Sequence, residues 1–434
     1  MRKIYQYILM AVAVVATASC SNELDEALQP ANNGTLQFVV SDFPTYDIDT
    51  RAIGTQDEGK TAWADGDNIL VHLYSQKYGD QAVTLTFDAE NNTWESDGGT
   101  LSYLENETPT ITAVYAPDCE IKEGQIALQD GKQYGEAEYI LARTTISENS
   151  LDINFESGRT YSRLRIATMS NASLTVSTEG FTPAGATEVA TAAYTLTTDN
   201  NGNAFLYGVF AEGATVIVKQ GNVVLKDYTF TAEKNPNGTE HNKSYALDAT
   251  PVIDGTLGGK ATAEESDITT LVEQLKAYVD NGITTIIVPG TEYAMYKSNL
   301  GTIPAFAEAL YLLTDLNEDS PYCGTIDLIL PDATEIIDFS FDSADALKSI
   351  TLPKVTTVGD GAFYGCYYLQ TITFGSVVTA INHNTKAEFH WVGKKVEGCD
   401  LVLNREQVNA EADYQPNIET STWWNTEWKS ITLK

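Results

Sequence analysis

The sequence predicts a mainly β protein, with two consecutive β-sandwich blocks followed by a short α/β coil of repeats. Three patterns predict it. Residues 35–249 carry short runs in which every second residue is apolar, separated by turn-forming clusters. An amphipathic helical pattern follows. In the last third, a Leu-x-x-Ile-x-Leu motif recurs 22 residues on. Period-two alternation marks half-buried strands, and an apolar motif recurring every 20–29 residues or so marks stacked one-strand repeats.

The chain opens on Met1, Arg2 and Lys3, and an apolar run extends from about Ile8 to Ala18, ahead of Ser19 and Cys20. A basic start, a short apolar stretch and small residues before a cut site describe a secretory signal segment. The run is shorter than the roughly 20 residues a helix needs to cross a bilayer. Thr17, Ala18, Ser19 and Cys20 resemble the lipobox of bacterial lipoproteins, with Thr17 where Leu is commoner. The resemblance implies acylation of Cys20 and a lipid anchor in the outer membrane of a Gram-negative bacterium. Each buried methylene contributes about 0.8 kcal/mol, so two or more acyl chains anchor stably. Glu23, Asp25 and Glu26 follow at once. An acidic cluster this close to a lipidated Cys resembles the tag of lipoproteins moved to the outer surface. Residues 1–19 are read as the signal peptide and 20–34 as an acidic linker.

Asp and Glu number 60 against 26 Lys and Arg, a net charge of −34. Loss of Arg2 and Lys3 makes the mature chain two charges more negative. Such a body lacks the basic footprint that nucleic acid needs, and it is not drawn to anionic lipid. It suits a protein standing off an anionic cell surface. Apolar residues form 43% of the 434, enough for real cores in two or three domains. With Cys20 used for lipid, Cys119, Cys323, Cys366 and Cys399 remain, with no C-x-x-C pair. A zinc site is therefore disfavoured. Disulfides are allowed outside the cytoplasm, but the four are read as small buried apolar residues.

The first block spans 35–149. Leu36, Phe38 and Val40 alternate with polar neighbours, as do Ile69, Val71 and Leu73, then Val83, Leu85 and Phe87, then Ile111, Ala113 and Tyr115. Asp65-Gly66-Asp67 and Asn91-Asn92 separate them. The second block spans 150–249, with its boundary in Glu148-Asn149-Ser150. Leu151, Ile153 and Phe155 open it, and Ser244 to Asp248 close it. Several residues carry a family likeness: Thr50-Arg51-Ala52, Thr61 to Val71 with Trp63 and Asp65-Gly66-Asp67, Ala113 to Pro117, Asn154-Phe155, and Ser162 to Ile166. In this order they resemble the fimbrillin-like lipoproteins, whose members form or decorate pili. The likeness covers roughly 35–249. It implies two consecutive transthyretin-like β-sandwiches.

Residues 250–434 form the helix-plus-repeat module. Ile268, Leu271, Val272, Leu275, Tyr278 and Val279 share one helical face, with Asp267 or Ser266 to cap the start and Gly282 to end it. A second helix is expected within 303–314. Leu347-x-x-Ile350-x-Leu352 returns as Leu369-x-x-Ile372-x-Phe374, and Phe341 pairs with Phe363 at the same offset. Lys348 to Leu352 returns verbatim as Lys429 to Leu433, and Ile286 and Val288 are read as the first rung. The period and pattern are those of a short leucine-rich-repeat solenoid. Gly361-Ala362-Phe363-Tyr364-Gly365-Cys366 resembles the BspA-type repeat of bacterial surface proteins linked to adhesion, which implies a buried, structural Cys366.

No catalytic constellation stands out. His72, His241, His383 and His390 are scattered; His383, Glu388 and His390 are close but lack metal-binding spacing. Asp199 to Asn203 are rich in oxygen ligands, but a tight turn explains them better than Ca²⁺ does. The expectation is a non-enzyme with no metal and no cofactor. In polymerising relatives of the fimbrillin type, a cut after a basic residue removes the first strand, and another subunit's strand fills the groove. The resemblance places that cut at Arg51 and makes Leu36–Val40 the leaving strand. The repeat module, about 185 residues long, would obstruct further chain growth, which implies a terminal, tip-type position in a fimbrium. Aromatic residues are dense towards the C-terminus, at Tyr364, Tyr367, Tyr368, Trp391, Trp423, Trp424 and Trp428. Trp423 and Trp424 are candidates for ligand contact, against the alternative that they cap the last rung; Trp428 falls on a core position. The expected function is cell adhesion through a host or bacterial surface protein or glycan, with other pilin subunits as partners by strand exchange. The alternative is a glycan-binding surface lipoprotein of a nutrient-uptake system.

Overall fold

The computed structural model describes residues 36–48, 59–104, 107–122, 125–129, 131–147, 150–156, 158–186, 190–233, 235, 237–299, 301–315, 317–382, 389–424 and 426–434. Cys20, Arg51, His383 and Glu388 lie outside them. The chain divides into two compact units. One runs to Val218 and includes Lys226–Ala249; the other comprises Lys219–Leu225 and Thr250–Lys434.

The first unit is all β, and its longest hairpin runs on through Lys219–Leu225, which count with the second unit. In chain order its strands are β1 (Gln37–Val40), β2 (Asp47–Ile48), β3 (Asn68–Ser75), β4 (Gly79–Asp88), β5 (Thr93–Ser96), β6 (Thr110–Tyr115), β7 (Cys119–Lys122), β8 (Gln125–Leu128), β9 (Ile140–Ser147), β10 (Ser150–Asn154), β11 (Ser162–Ala167), β12 (Ser173–Pro183), β13 (Ala190–Thr197), β14 (Asn203–Gln220), β15 (Val223–Thr229) and β16 (Lys243–Asp248). Hydrogen bonding joins β1-β10-β9-β6-β3-β4-β5 into one seven-stranded sheet. A second runs β13-β12-β14-β11-β16-β2, with β15 paired to β14. The alternating residues do what their period requires. Ile69, Val71 and Leu73 meet Val83 and Leu85 in a core from which water is nearly absent.

One boundary differs from the expectation. Leu151, Ile153 and Phe155 belong to the first core, because Ser150–Asn154 folds back antiparallel on β9 and also pairs with β1. The predicted boundary therefore falls between two paired strands of one sheet, which end at Ser147 and begin at Ser150. A hairpin turn and a domain linker use the same residues, and local composition does not separate them.

The second unit begins with α1 (Glu265–Asp280), which buries Ile268, Leu271, Leu275 and Tyr278. Its cap is Glu264, two positions before Ser266; Asp267 takes the third helical position and accepts the Glu264 amide at 2.9 Å. The helix ends before Gly282, whose φ of 74° lets the Ile283 amide turn back to the Tyr278 carbonyl at 2.9 Å. A second helix, α2, spans Ala305–Leu312.

Six strands then stack in parallel: β17 (Thr285–Ile287), β20 (Ile326–Ile329), β22 (Leu347–Leu352), β24 (Thr371–Phe374), β26 (Asp400–Leu403) and β29 (Ser430–Leu433). Between them lie β18 (Met295–Ser298), β19 (Gly301–Pro304), β21 (Glu335–Ile336), β23 (Thr357–Val358), β25 (Ala380–Ile381), β27 (Thr422–Trp423) and β28 (Thr426–Glu427). β21, β23 and β25 form a smaller three-stranded parallel sheet. Register aligns Ile286, Leu328, Ile350, Ile372, Leu401 and Ile431 into one ladder, buried along its whole length. Phe341, Phe363 and Phe389 form a parallel ring stack beside it. A single rung cannot bury these side chains alone; stacking neighbours supplies the missing wall.

Candidate functional site

Two surfaces have the geometry of binding sites, one on each unit. The first is an edge groove. β1 and β5 are the two edges of the first sheet. Both line a groove of about 810 Å³, whose walls include Phe38 and Val40 on one side and Trp94 and Leu101 on the other. β1 is four residues long and pairs only with β10, in parallel. Its residues are exposed or half-buried, and Val39 is 53% exposed. A short edge strand beside a groove is the arrangement to which an extended peptide adds, its backbone supplying the hydrogen bonds.

The segment after β1 is held differently. Phe43 is buried and meets Trp63 and Tyr115 edge to face, with ring centroids 4.9 and 5.6 Å away. Tyr46 is buried too, and its hydroxyl donates to Glu138 Oε1 at 2.6 Å. The same carboxylate oxygen accepts Arg159 Nε at 2.9 Å. Arg159 Nη1 donates to the Pro44 carbonyl at 2.6 Å, and the guanidinium carbon lies 3.9 Å from the centre of the Tyr46 ring. Burial, more than any neighbour, holds the Tyr46 hydroxyl well above its ordinary pKa, so it stays a donor. The next two residues, Asp47 and Ile48 of β2, pair in parallel with β16 of the second sheet. The stretch 36–48 therefore touches both sheets of its unit.

The second surface lies on the repeats. Rungs at Leu328, Ile350 and Ile372 are 22 residues apart, but 29 residues separate Ile372 from Leu401. Part of that insertion presents Trp391, the one exposed tryptophan among the described residues, at 40% exposure and φ 65°. Tyr367 stacks near it with centroids 6.1 Å apart and planes 18° apart; Tyr364 is 5.2 Å away, His390 4.6 Å, and the Lys394 ammonium 5.1 Å from the ring centre. The loop is pinned from beneath. Gly393 donates to the Cys366 carbonyl at 3.0 Å and Lys395 to the Tyr367 carbonyl at 2.9 Å. Beside the cluster, the Lys395 ammonium pairs with Glu318 at 2.5 Å. Asp345 accepts the Tyr367 amide at 3.3 Å, and burial raises its carboxyl to about 6.

The sequence-predicted ligand contacts fare differently. Trp423 is 1% exposed; it packs on Phe374 and Phe389, and its indole N–H donates to the Tyr414 carbonyl at 2.9 Å. It is a core residue and its ring meets no solvent. Trp424 is half-buried and stacks flat on Tyr414 at 5.3 Å, 2° from parallel. Neither joins the Trp391 cluster. Rung spacing does not tell them apart: 30 residues separate Leu401 from Ile431, so the stretch that holds Trp423 exceeds the 22-residue period as much as the one that holds Trp391.

Cys119, Cys323, Cys366 and Cys399 are unbridged. Cys366 is buried, its thiol donates to the Phe341 carbonyl at 2.9 Å, and burial pushes its pKa well up. Asp199 accepts the amides of Asn201 and Asn203, each at 2.8 Å, and Gly202 takes φ 79°. Backbone amides of a tight turn thus use the Asp199 carboxylate.

Comparison with known proteins gives one family and three structural neighbours. Residues 322–389 match the BspA type leucine-rich repeat region, in six copies. No curated protein matches the chain. A fimbrial protein of Bacteroides ovatus aligns at 13% identity and a TM-score of 0.26, over 50% of this chain and 48% of its own. The chain thus spans about half the length of that neighbour. A protein of the same species assigned to cell adhesion aligns at 12% identity and a TM-score of 0.24, over 50% of this chain and 93% of its own. Another assigned as an adhesin aligns at 11% and 0.23, over 54% and 95%. Similarities this low carry no assignment. By its sequence and the parallel register of its rungs, the segment 322–389 belongs to the BspA-type leucine-rich repeats.

Proposed function

We propose that the chain is an adhesive subunit of the bacterial surface, delivered to the outer membrane by acylated Cys20, with the repeat unit as its ligand-binding head. Cleavage after Arg51 would free the segment holding β1, and a strand of another subunit would take its place. The observation that carries this reading is the β1 edge. The strand is short, parallel and poorly buried, and it borders an open groove. Its loss would leave a slot between β10 and β5 with unpaired backbone groups, which a donated strand satisfies. The repeat unit would then sit at the end of a fibre, a tip-type position. The work done is non-covalent recognition. Determining the N-terminus of the protein recovered from cells tests this: a start at Ala52 is expected in assembled material.

The Trp391 cluster favours a second reading, a glycan-binding surface lipoprotein that keeps its anchor. Exposed indole and phenol faces stack on sugar rings and on partner side chains alike. Retention of sugar by the intact protein, lost in Trp391→Ala, together with acylated Cys20 as the sole N-terminus, would support it over the fibre reading.

A further inference from the structure

The part of the 36–48 segment that forms the strand is not the part that is best held. β1 leaves Val39 53% exposed, whereas Phe43 and Tyr46 are 6% and 4% exposed. Behind Tyr46 lies a charged pair that depends on it. Arg159 is 3% exposed and Glu138 9%. Glu138 Oε1 accepts both Arg159 Nε and the Tyr46 hydroxyl, and Arg159 Nη1 spends its hydrogen bond on Pro44. Arg159 Nη1 also approaches Asn242 Oδ1 at 3.3 Å. Arg159 Nη2, buried as well, has no hydrogen-bond partner among the described residues. Tyr46 is flanked by a second guanidinium, whose carbon at Arg163 lies 4.8 Å from the ring centre.

Removing the segment would strip a buried ion pair of a hydroxyl donor, a carbonyl acceptor and an aromatic face together. A buried charge that loses partners is far costlier than an apolar gap, because its desolvation is no longer offset. An apolar strand that replaced β1 alone would leave that cost in place.

We propose that Arg159 and Glu138 form a register-setting socket for whatever segment occupies the edge groove, filled here by Tyr46 and in an assembled fibre by a tyrosine of the incoming subunit. This rests on the strand-exchange reading above and adds the chemistry of the partner. The incoming segment carries apolar residues at alternate positions, as at Leu36, Phe38 and Val40. It carries a ring at the place of Phe43 and a tyrosine eight residues beyond the first phenylalanine. The β1 slot is tolerant, since its side chains are half-exposed and its hydrogen bonds come from backbone. The tyrosine fixes which residue enters first, since a strand shifted by one turns every side chain to the wrong face.

The test uses the full chain, with residues 53–58 replaced by a site-specific protease sequence and then cut, so that the N-terminal segment stays bound only non-covalently. A labelled peptide of residues 36–50 is added, and its entry and release are followed by fluorescence anisotropy. The variants lie in the peptide, so the fold of the host is unchanged. The wild-type peptide is expected to enter and stay. Tyr46→Phe should leave about tenfold faster, the scale of one hydrogen bond to a charged group. Tyr46→Ala should leave faster still. A glycine inserted after Ser41 should be as damaging as Tyr46→Ala, because strand and socket can no longer be filled together. Equal retention of wild-type, Tyr46→Phe, Tyr46→Ala and the insertion peptide, with Phe38→Asp excluded, would overturn the socket while leaving strand exchange intact. Failure of every peptide to enter the cut protein after the resident segment has been washed out in mild denaturant and the denaturant removed would overturn both.

Discussion

Phe341 and Phe363, 22 residues apart in the chain, stack with ring centroids 5.6 Å apart and planes 14° from parallel. Phe389 continues the stack at 5.7 Å and 8°. The repeat is therefore a physical period as well as a textual one. Each ring is buried by the rings of the neighbouring repeats.

Phe363 is the middle ring and is 0% exposed. Phe363→Ala should destabilise the repeat unit by about 3–5 kcal/mol, the range for removing a buried aromatic ring, and Phe363→Leu by less than half of that. Chemical denaturation followed by tryptophan fluorescence reads this directly, since Trp423 and Trp428 are buried in the same core. A loss under about 1 kcal/mol for the alanine variant would contradict the stack.

Trp391 and Trp423 should separate binding from folding. Trp391→Ala removes an exposed ring and should change stability by less than about 1 kcal/mol. It should sharply reduce adherence of purified protein to its target surface. Trp423→Ala should cost about 3–5 kcal/mol and lower adherence only to the extent that it lowers the folded fraction. Equal adherence of Trp391→Ala and wild type would remove the aromatic cluster from the binding account.

Much of this was legible from residues. Alternation at Ile69, Val71 and Leu73 and the echo of Ile350 in Ile372 report burial on one face, a property of local sequence. Four things were not. The partner of Ser150–Asn154 was hidden because pairing is decided by register between distant segments. Trp423 read as a candidate contact because an indole at a chain end has the same local signature whether buried or displayed. The Arg159–Glu138–Tyr46 group joins residues 92 and 21 positions apart in sequence, and no short motif announces it. The importance of residues 43–46 was masked by the stronger alternation at 36–40.

The Asp345 carboxyl, raised to about 6 by burial, gives a pH signature. Its ordinary value is 3.8, so between these values the folded state binds more proton than the unfolded state. This group's contribution therefore falls as pH rises from about 4 to 6. Asp345→Asn should stabilise the protein near pH 7.5 by about 1 kcal/mol, discounted because the group is only half-buried, and change little near pH 4. Thermal unfolding of both proteins across that range checks the sign. A variant less stable than wild type at pH 7.5, with no change at pH 4, would reverse it.

The central claim is that the N-terminal segment gives way to another subunit's strand. The most direct measurement is the N-terminus of the protein on intact cells, read by mass spectrometry of surface-released material. The account predicts that chains in high-molecular-weight assemblies begin at Ala52, with Cys20 and its acyl chains gone. Assemblies whose chains all begin at acylated Cys20 would contradict it.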